Sequence, residues 1–321
     1  MATLLVELLT EELPPKALKK LGSSFGTGIV SSLQKQNFVS NDVRYSTFAT
    51  PRRLAIVIDD VLAVSPEDKV QQKLMPKHVG FSNSGEPSEA LLKKLKSIGL
   101  DESSVEKTTI KNDGKMEFIY LSQKRAGVTI AEGLQKAIDI SLSKLPIPKV
   151  MTYQPQDNQE SVNFVRPAHR LVALLGNTVV DIQALGLSSG NMSLGHRFQS
   201  KGEITIQSAN LYESALEESG QIIPDYNKRK AIIEDQLKQK ANQLGLELQD
   251  DEDLLNEVTS LVESPTVYVA QFDKQFLSIP EECLVLTMKT NQKYFPLFDK
   301  NGDLAEMFLL VSNMRLDDPS N

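Results

Sequence analysis

Leu4-Leu5-Val6-Glu7-Leu8-Leu9 is apolar at every position but Glu7 and reads as a strand buried on both faces apart from that residue. Thr10-Glu11-Glu12-Leu13-Pro14-Pro15 follows with a cap residue, acidic positions and prolines suited to a helix entry. Leu18, Leu21, Phe25, Ile29 and Leu33 then recur at three- and four-residue steps, which commits one face of a helix to the core. After Thr50-Pro51-Arg52-Arg53 comes a second apolar run at 54–58, read as a strand. Residues 64–85 are polar, with Pro66, Pro76 and Gly85, and read as an exposed connection. Residues 88–98 form a short basic amphipathic helix with Leu91, Leu92, Leu95 and Ile98 on its apolar side. Asn112-Asp113-Gly114 is a hairpin turn between Thr109-Ile110 and Glu117-Phe118-Ile119-Tyr120. A further helix at 128–142 is closed by Pro146 and Pro148.

Beyond a polar stretch at 154–160, residues 171–175, Gly176-Asn177 and 179–182 spell a hairpin. Residues 226–244 are helical, with Ile232, Ile233, Leu237, Ala241 and Leu244 inward, and a shorter helix occupies 254–262. A strand at 266–272 is followed by 294–298, which pairs with 307–311 across Asp299-Lys300-Asn301-Gly302. Apolar strand runs alternating with amphipathic helices predict an α+β fold of mixed sheets with packed helices, the runs 4–9 and 54–58 being neighbours in one sheet. The two prolines and the polar stretch suggest two α+β domains, 1–150 and 151–321, with a discontinuous arrangement left open. The polar tail at 313–321, directly after a strong strand, reads as a linker into a further domain.

Composition narrows the function. The chain has 321 residues and a net charge of -7, so any nucleic-acid contact must come from a local basic patch and not from overall charge. A single cysteine, Cys283, rules out an internal disulfide and fits a reducing compartment. With no apolar run of spanning length and no basic-then-apolar N-terminus, no membrane is expected and the cytoplasm is the default location. His78, His169, His196 and Cys283 have no metal-ligand spacing, so no metal site is expected. Gly22-Ser23-Ser24-Phe25-Gly26-Thr27-Gly28 lacks the Lys-Ser/Thr of a phosphate loop and falls inside the first helix. The acidic run Asp250-Asp251-Glu252-Asp253 is a helix start favoured by the dipole. No catalytic residue is assigned.

What remains are three short stretches that set Arg and His against Gly and Pro: Thr50-Pro51-Arg52-Arg53, Arg166-Pro167-Ala168-His169-Arg170 and Gly195-His196-Arg197-Phe198. Guanidinium forks suit phosphate, and Pro and Gly hold the backbone where a fork can be aimed. Arg52, Arg53, Arg166, Arg170 and Arg197 are therefore the RNA-binding candidates, and His169 and His196 the candidates for satisfying backbone groups in turns. The competing reading pairs each arginine with a carboxylate inside the protein.

Together with 4–18, these stretches resemble, in order, the beta subunit of the bacterial heterotetrameric glycyl-tRNA synthetase. The resemblance runs through Thr50-Pro51-Arg52-Arg53-Leu54-Ala55, Phe164-Val165-Arg166-Pro167-Ala168-His169-Arg170 and Gly195-His196-Arg197-Phe198, then Met288-Lys289-Thr290-Asn291-Gln292-Lys293-Tyr294-Phe295 and Phe308-Leu309-Leu310-Val311-Ser312-Asn313. Where the family commonly carries an Arg-Trp pair after Lys149-Val150-Met151, this chain has Thr152-Tyr153 and no tryptophan at all. The family's subunit is about twice this length, so the resemblance implies that the HD-type and anticodon-binding regions lie beyond it. It further implies a ligase subunit of translation, cytoplasmic, with tRNA(Gly) and an alpha subunit as partners in an alpha2-beta2 heterotetramer. ATP, Mg and the class II catalytic site would belong to alpha, with no cofactor in this chain. Two alternatives stand beside it: a free-standing RNA-binding or assembly module, and a structural domain whose arginines are all internally paired.

Overall fold

The computed structural model describes residues 1–321 apart from 83, 113, 115, 155–159 and 317–321. The chain divides into two compact units, residues 1–63 with 130–321, and residues 64–129.

The first unit opens with β1 (Ala2–Thr10), α1 (Pro15–Lys35), β2 (Tyr45–Thr50) and β3 (Arg53–Val61). β1 and β3 are antiparallel neighbours, with Leu4 opposite Ile58 and Leu8 opposite Leu54, as the two apolar runs predict. Leu18, Leu21, Phe25, Ile29 and Leu33 of α1 are all fully buried. The glycines of this helix serve close packing. A β-carbon on Gly22 would sit 2.6 Å from Ala49 Cβ, and one on Gly26 2.3 Å from Thr47 Cγ2, both on β2. The helix backbone therefore lies against the sheet at a distance that only glycine permits.

The second unit contains β4 (Asp68–Pro76), α2 (Lys77–Gly80), α3 (Glu89–Ser97), β5 (Thr108–Asn112) and β6 (Glu117–Arg125). Its sheet has the order β4-β6-β5, antiparallel throughout. Much of the stretch expected to be an exposed connection is thus a strand. Its polar text reflects an edge strand with one solvated face, which carries no apolar run to announce it. The predicted hairpin pairs Asn112 with Glu117 and places Gly114 at φ +75°, while Asp113 lies outside the described residues. Ser88 caps α3 by accepting the Leu91 N–H at 3.3 Å, and Leu91 and Leu95 bury against Ile119 and Leu121 of β6.

Returning to the first unit, the chain forms α4 (Ile130–Ser143), the β7 (Met151–Tyr153) and β8 (Val162–Phe164) pair, and β9 (Ala168–Leu175). β9 lies antiparallel to β1, with Leu174 opposite Leu5 and Leu171 opposite Leu8. β10 (Thr178–Val179) folds back on β9 as the predicted hairpin, and β11 (Gln183–Ala184) and β12 (Leu187–Gly190) extend the sheet. The main path is β11-β12-β9-β1-β3-β2, and because β12 runs parallel to β9 the sheet is mixed. The expected division at 150 falls inside this unit: the β1–β9 ladder ties residues 4–10 to 168–175. Residues 155–159 of the polar stretch invoked for that division lie outside the described residues.

β13 (Met192–Leu194), β14 (Glu203–Thr205) and α5 (Tyr212–Glu218) cover the Leu5 face of the sheet, burying Leu5, Phe48, Val172, Leu174, Ile206 and Leu216 together. The chain then makes α6 (Tyr226–Leu244), β15 (Glu247–Leu248), α7 (Glu252–Thr259), β16 (Thr266–Gln271), α8 (Glu281–Leu286), β17 (Phe295–Phe298) and β18 (Leu304–Ser312). The β15-β17-β18-β16 sheet pairs Phe295 with Leu309, as predicted, and packs on Ile233, Leu237 and Ala241 of α6 and Leu254 and Val258 of α7. Ile232, expected inward, is half-buried, and a charged residue, Arg229, takes its place in the interior. Among the described residues no helix is long and apolar enough to cross a membrane.

Candidate nucleic-acid interface

Strand β1 ends where two of the arginine motifs meet. The turn between β2 and β3 is Thr50-Pro51-Arg52-Arg53, and the loop between β8 and β9 carries Arg166 and Pro167. Both grip the segment after β1: Thr10 N–H donates to the Arg52 carbonyl (2.7 Å), Leu13 N–H to Pro51 (2.6 Å) and Glu11 N–H to Pro167 (2.8 Å). Arg166 adds Nε to the Glu12 carbonyl at 2.8 Å and Nη1 to the Val165 carbonyl at 3.0 Å. His169 Nε2 lies 2.9 Å from Glu11 Oε1 at the surface. Proline suits these turns because the carbonyl is used and no N–H is needed.

Beneath this junction lies a buried polar network. Glu7, fully buried, accepts Tyr212 Oη at 2.6 Å and Ser193 Oγ at 2.5 Å, with Arg53 Nη1 at 3.4 Å. Arg53 Nη2 donates to the Leu194 carbonyl at 2.9 Å, and its Nε stands 3.5 Å from Glu263, an ion-pair distance without hydrogen-bond alignment. Glu263 also accepts Thr50 Oγ1 at 2.6 Å. A second buried cation, Arg229, donates to the carbonyls of Ala49 (2.7 Å), Ile223 (2.7 Å) and Thr259 (3.1 Å). Two carboxylates and two guanidinium groups are thereby enclosed together, close to neutrality, which is the condition for burying charge at tolerable cost. Burial opposes the Arg53 cation, but Glu263 and then Glu7 outweigh it and its pKa rises. Arg229 lacks so close a carboxylate, and burial pushes it down to about 10, still charged at neutral pH. Burial and the neighbouring Glu7 hold the Tyr212 phenol well above its ordinary value.

The third motif is fixed from within. His196, 1% exposed, accepts the N–H groups of Phe198 (3.3 Å) and Gln199 (3.2 Å) on Nδ1, so Nε2 bears the hydrogen. The backbone N–H of His196 donates to the Gly220 carbonyl, and Ser200 Oγ donates to the His196 backbone carbonyl at 2.9 Å. Gln199 anchors the next position through Ser264 Oγ at 2.8 Å and the Arg315 N–H at 2.6 Å. The side chains of Arg197 and Phe198 project from this fixed backbone into solvent, Phe198 being 69% exposed.

The five candidate arginines therefore have different fates. Arg53 is 1% exposed and belongs to the buried network, which corrects its assignment as a phosphate contact: it pairs opposite Leu9, and so lies on the face of β1 that also carries Glu7. Arg52 is half-buried with an Nε that lacks an acceptor. Arg166 is half-buried on backbone carbonyls, and Arg170 is half-buried and paired with Glu203. Arg197 alone of the five is exposed, with no side-chain partner among the described residues. Two charged members of the network escaped sequence reasoning. Glu263 gave no local signal. Arg229 did: it sits three residues after Tyr226 and four before Ile233, on the buried stripe of α6.

Comparison with known proteins places these motifs in a class, the subunits of aminoacyl-tRNA synthetases. A family model described as glycyl-tRNA synthetase beta subunit matches residues 4–321. The glycine–tRNA ligase beta subunit of Methylobacillus flagellatus is 49% identical over 329 residues, covering 100% of this chain and 46% of that relative. Those of Acidovorax ebreus and Leptothrix cholodnii are each 50% identical, over 321 and 318 residues, covering 99% of this chain and 45% of the relative. The chain belongs to the glycyl-tRNA synthetase beta subunit family, and it spans a little under half the length of these curated relatives.

Proposed function

We propose that the chain serves ATP-dependent glycylation of tRNA(Gly) as the N-terminal part of a glycine–tRNA ligase beta subunit, by holding tRNA and by assembly with an alpha subunit. The observation that carries this reading is the unbroken family match from residue 4 to 321. The geometry supports a holding role and not a chemical one. The motif arginines and histidines are spent largely on fixing the end of a sheet, and Arg197 remains as the guanidinium free to meet a phosphate. ATP, Mg and the class II active site then belong to alpha, the pair acting in the cytoplasm as an alpha2-beta2 heterotetramer. The purified chain should show no glycine-dependent pyrophosphate exchange on its own, and exchange without alpha would overturn the division of labour. In the assembled ligase, Arg197→Gln should weaken tRNA binding and lower the slope of log K against log salt by about one. Rates at saturating tRNA should change less than affinity, because the side chain acts away from the reacting atoms. An unchanged salt slope would remove Arg197 from the tRNA surface.

A further inference from the structure

Phe118 and Tyr120 stand two positions apart on β6, the central strand of the second unit. Ile119 and Leu121, at the alternate positions, are fully buried against α3, so strand alternation turns the two rings to the opposite face. Directly opposed residues in an antiparallel pair share a face. Lys111 and Pro76, which oppose Phe118, and Lys73 and Thr109, which oppose Tyr120, therefore lie beside the rings. Each ring carries the lysine diagonal to it: Lys73 Nζ is 3.4 Å from the Phe118 centroid, and Lys111 Nζ is 6.0 Å from that of Tyr120. Both rings are half-buried and both lysines are exposed. This unit also departs from the rest of the chain in charge. Residues 64–129 hold eleven Lys and Arg against nine Asp and Glu, a net +2 in a protein of net -7.

We propose that this face binds unpaired nucleotides of RNA, with Phe118 and Tyr120 as stacking platforms and Lys73 and Lys111 as phosphate contacts. Aromatic rings interleaved with lysines on an open sheet match bases interleaved with phosphates. The rings are spaced by about 7 Å along the strand, twice the roughly 3.4 Å rise of stacked nucleotides. Two successive bases can then take one ring each only if they are splayed, which a duplex does not allow. A protein partner would favour a larger apolar surface free of ammonium groups, whereas here each ring has a lysine at its face that an incoming base displaces onto the adjoining phosphate, and the surrounding charge favours a polyanion. The proposal rests on the tRNA-holding reading for its choice of RNA.

The test is a titration of the 321-residue chain into a short fluorescein-labelled oligouridylate, read by anisotropy at low salt. Phe118→Leu and Tyr120→Leu should each weaken binding by about fivefold or more, with unchanged thermal melting. Tyr120→Phe should retain it. Lys73→Gln and Lys111→Gln should each lower the salt slope by about 0.7, the single-strand value. The face is excluded if the wild-type chain ignores the oligonucleotide, or if the double leucine variant melts normally and binds it as well as wild type. Loss of protein assembly in the leucine variants, with oligouridylate binding intact, would likewise overturn it in favour of a protein partner. Any of these results alongside retained tRNA binding by the assembled ligase would reject this face alone. An assembled ligase that does not use this chain to bind tRNA would instead overturn the broader reading.

Discussion

Arginines in like-looking motifs do opposite jobs, because burial changes the energetics of charge. Arg53 joins Glu7 and Glu263 in the interior, whereas Arg197 projects from a loop whose backbone His196 fixes. Arg53→Met should therefore destabilise the fold by about 3–5 kcal/mol, by leaving buried carboxylates without their cation. Arg197→Gln should fall within about 0.5 kcal/mol of wild type. Thermal or urea unfolding of the two variants side by side decides it, and equal losses would contradict the burial argument. Glu7 stood out in the sequence as the lone carboxylate of an otherwise apolar strand and was excepted from its burial, yet it is fully buried against a cation. Which cation was not visible, since Arg53 is brought to it by strand pairing and Glu263 by a distant loop.

Elements with strong internal periodicity were legible, and those defined by their neighbours were not. The first helix, the β1–β3 pair, the long helix ending at Gly245 and the β17–β18 pair all declare themselves by apolar spacing and punctuation. β4 does not, because an edge strand with a solvated face needs no apolar run. The glycines of α1 could be placed in a helix from sequence, yet their purpose lies in β2. Gly22→Ala gains up to about 1 kcal/mol in helix propensity, but its methyl would meet Ala49 Cβ at 2.6 Å, and that atom is fixed to the strand backbone. Overpacking of about 1–3 kcal/mol should win, so the variant should melt below wild type. A higher melting temperature would show that the helix can move off the sheet. The acidic run before α7 is a helix start in the structure: Asp251 accepts the Leu254 N–H at 2.9 Å and pairs with Lys289 at 3.1 Å. Partial burial pushes its carboxyl up, but that N–H and Lys289 outweigh it and hold the pKa below the usual range. A depressed folded pKa gives stability that is present above the unfolded value and lost as pH falls through the folded one. Asp251→Ala should thus cost about 1 kcal/mol at neutral pH, and the difference from wild type should shrink below about pH 4. A difference that stays constant with pH would show that the charge contributes nothing.

At the scale of the whole molecule, the division of the chain is set by strand pairing and not by its prolines. Pro146 and Pro148 end a helix, but the chain returns to place β9 beside β1, and no local pattern reports which distant strands will meet. The true interruption is the excursion through 64–129, whose flanks are adjacent: Ile130 N–H donates to the Ala63 carbonyl at 2.9 Å. Within the excursion, Val64 and Thr129 form a β-bridge and Ser65 N–H donates to the Val128 carbonyl at 3.0 Å. A unit entered and left at one point can be removed without breaking the surrounding ladders, because loop closure there is short. Replacing 64–129 by a brief Gly-Ser linker should leave the β1–β3 and β1–β9 ladders and the buried Glu7–Arg53 network intact. The shortened chain should unfold cooperatively, still depend on Arg53 for stability, and lose oligouridylate binding. If it unfolds instead, or if Arg53→Met no longer matters in it, the excised unit is part of what holds the main sheet together, and the two units are one cooperative fold.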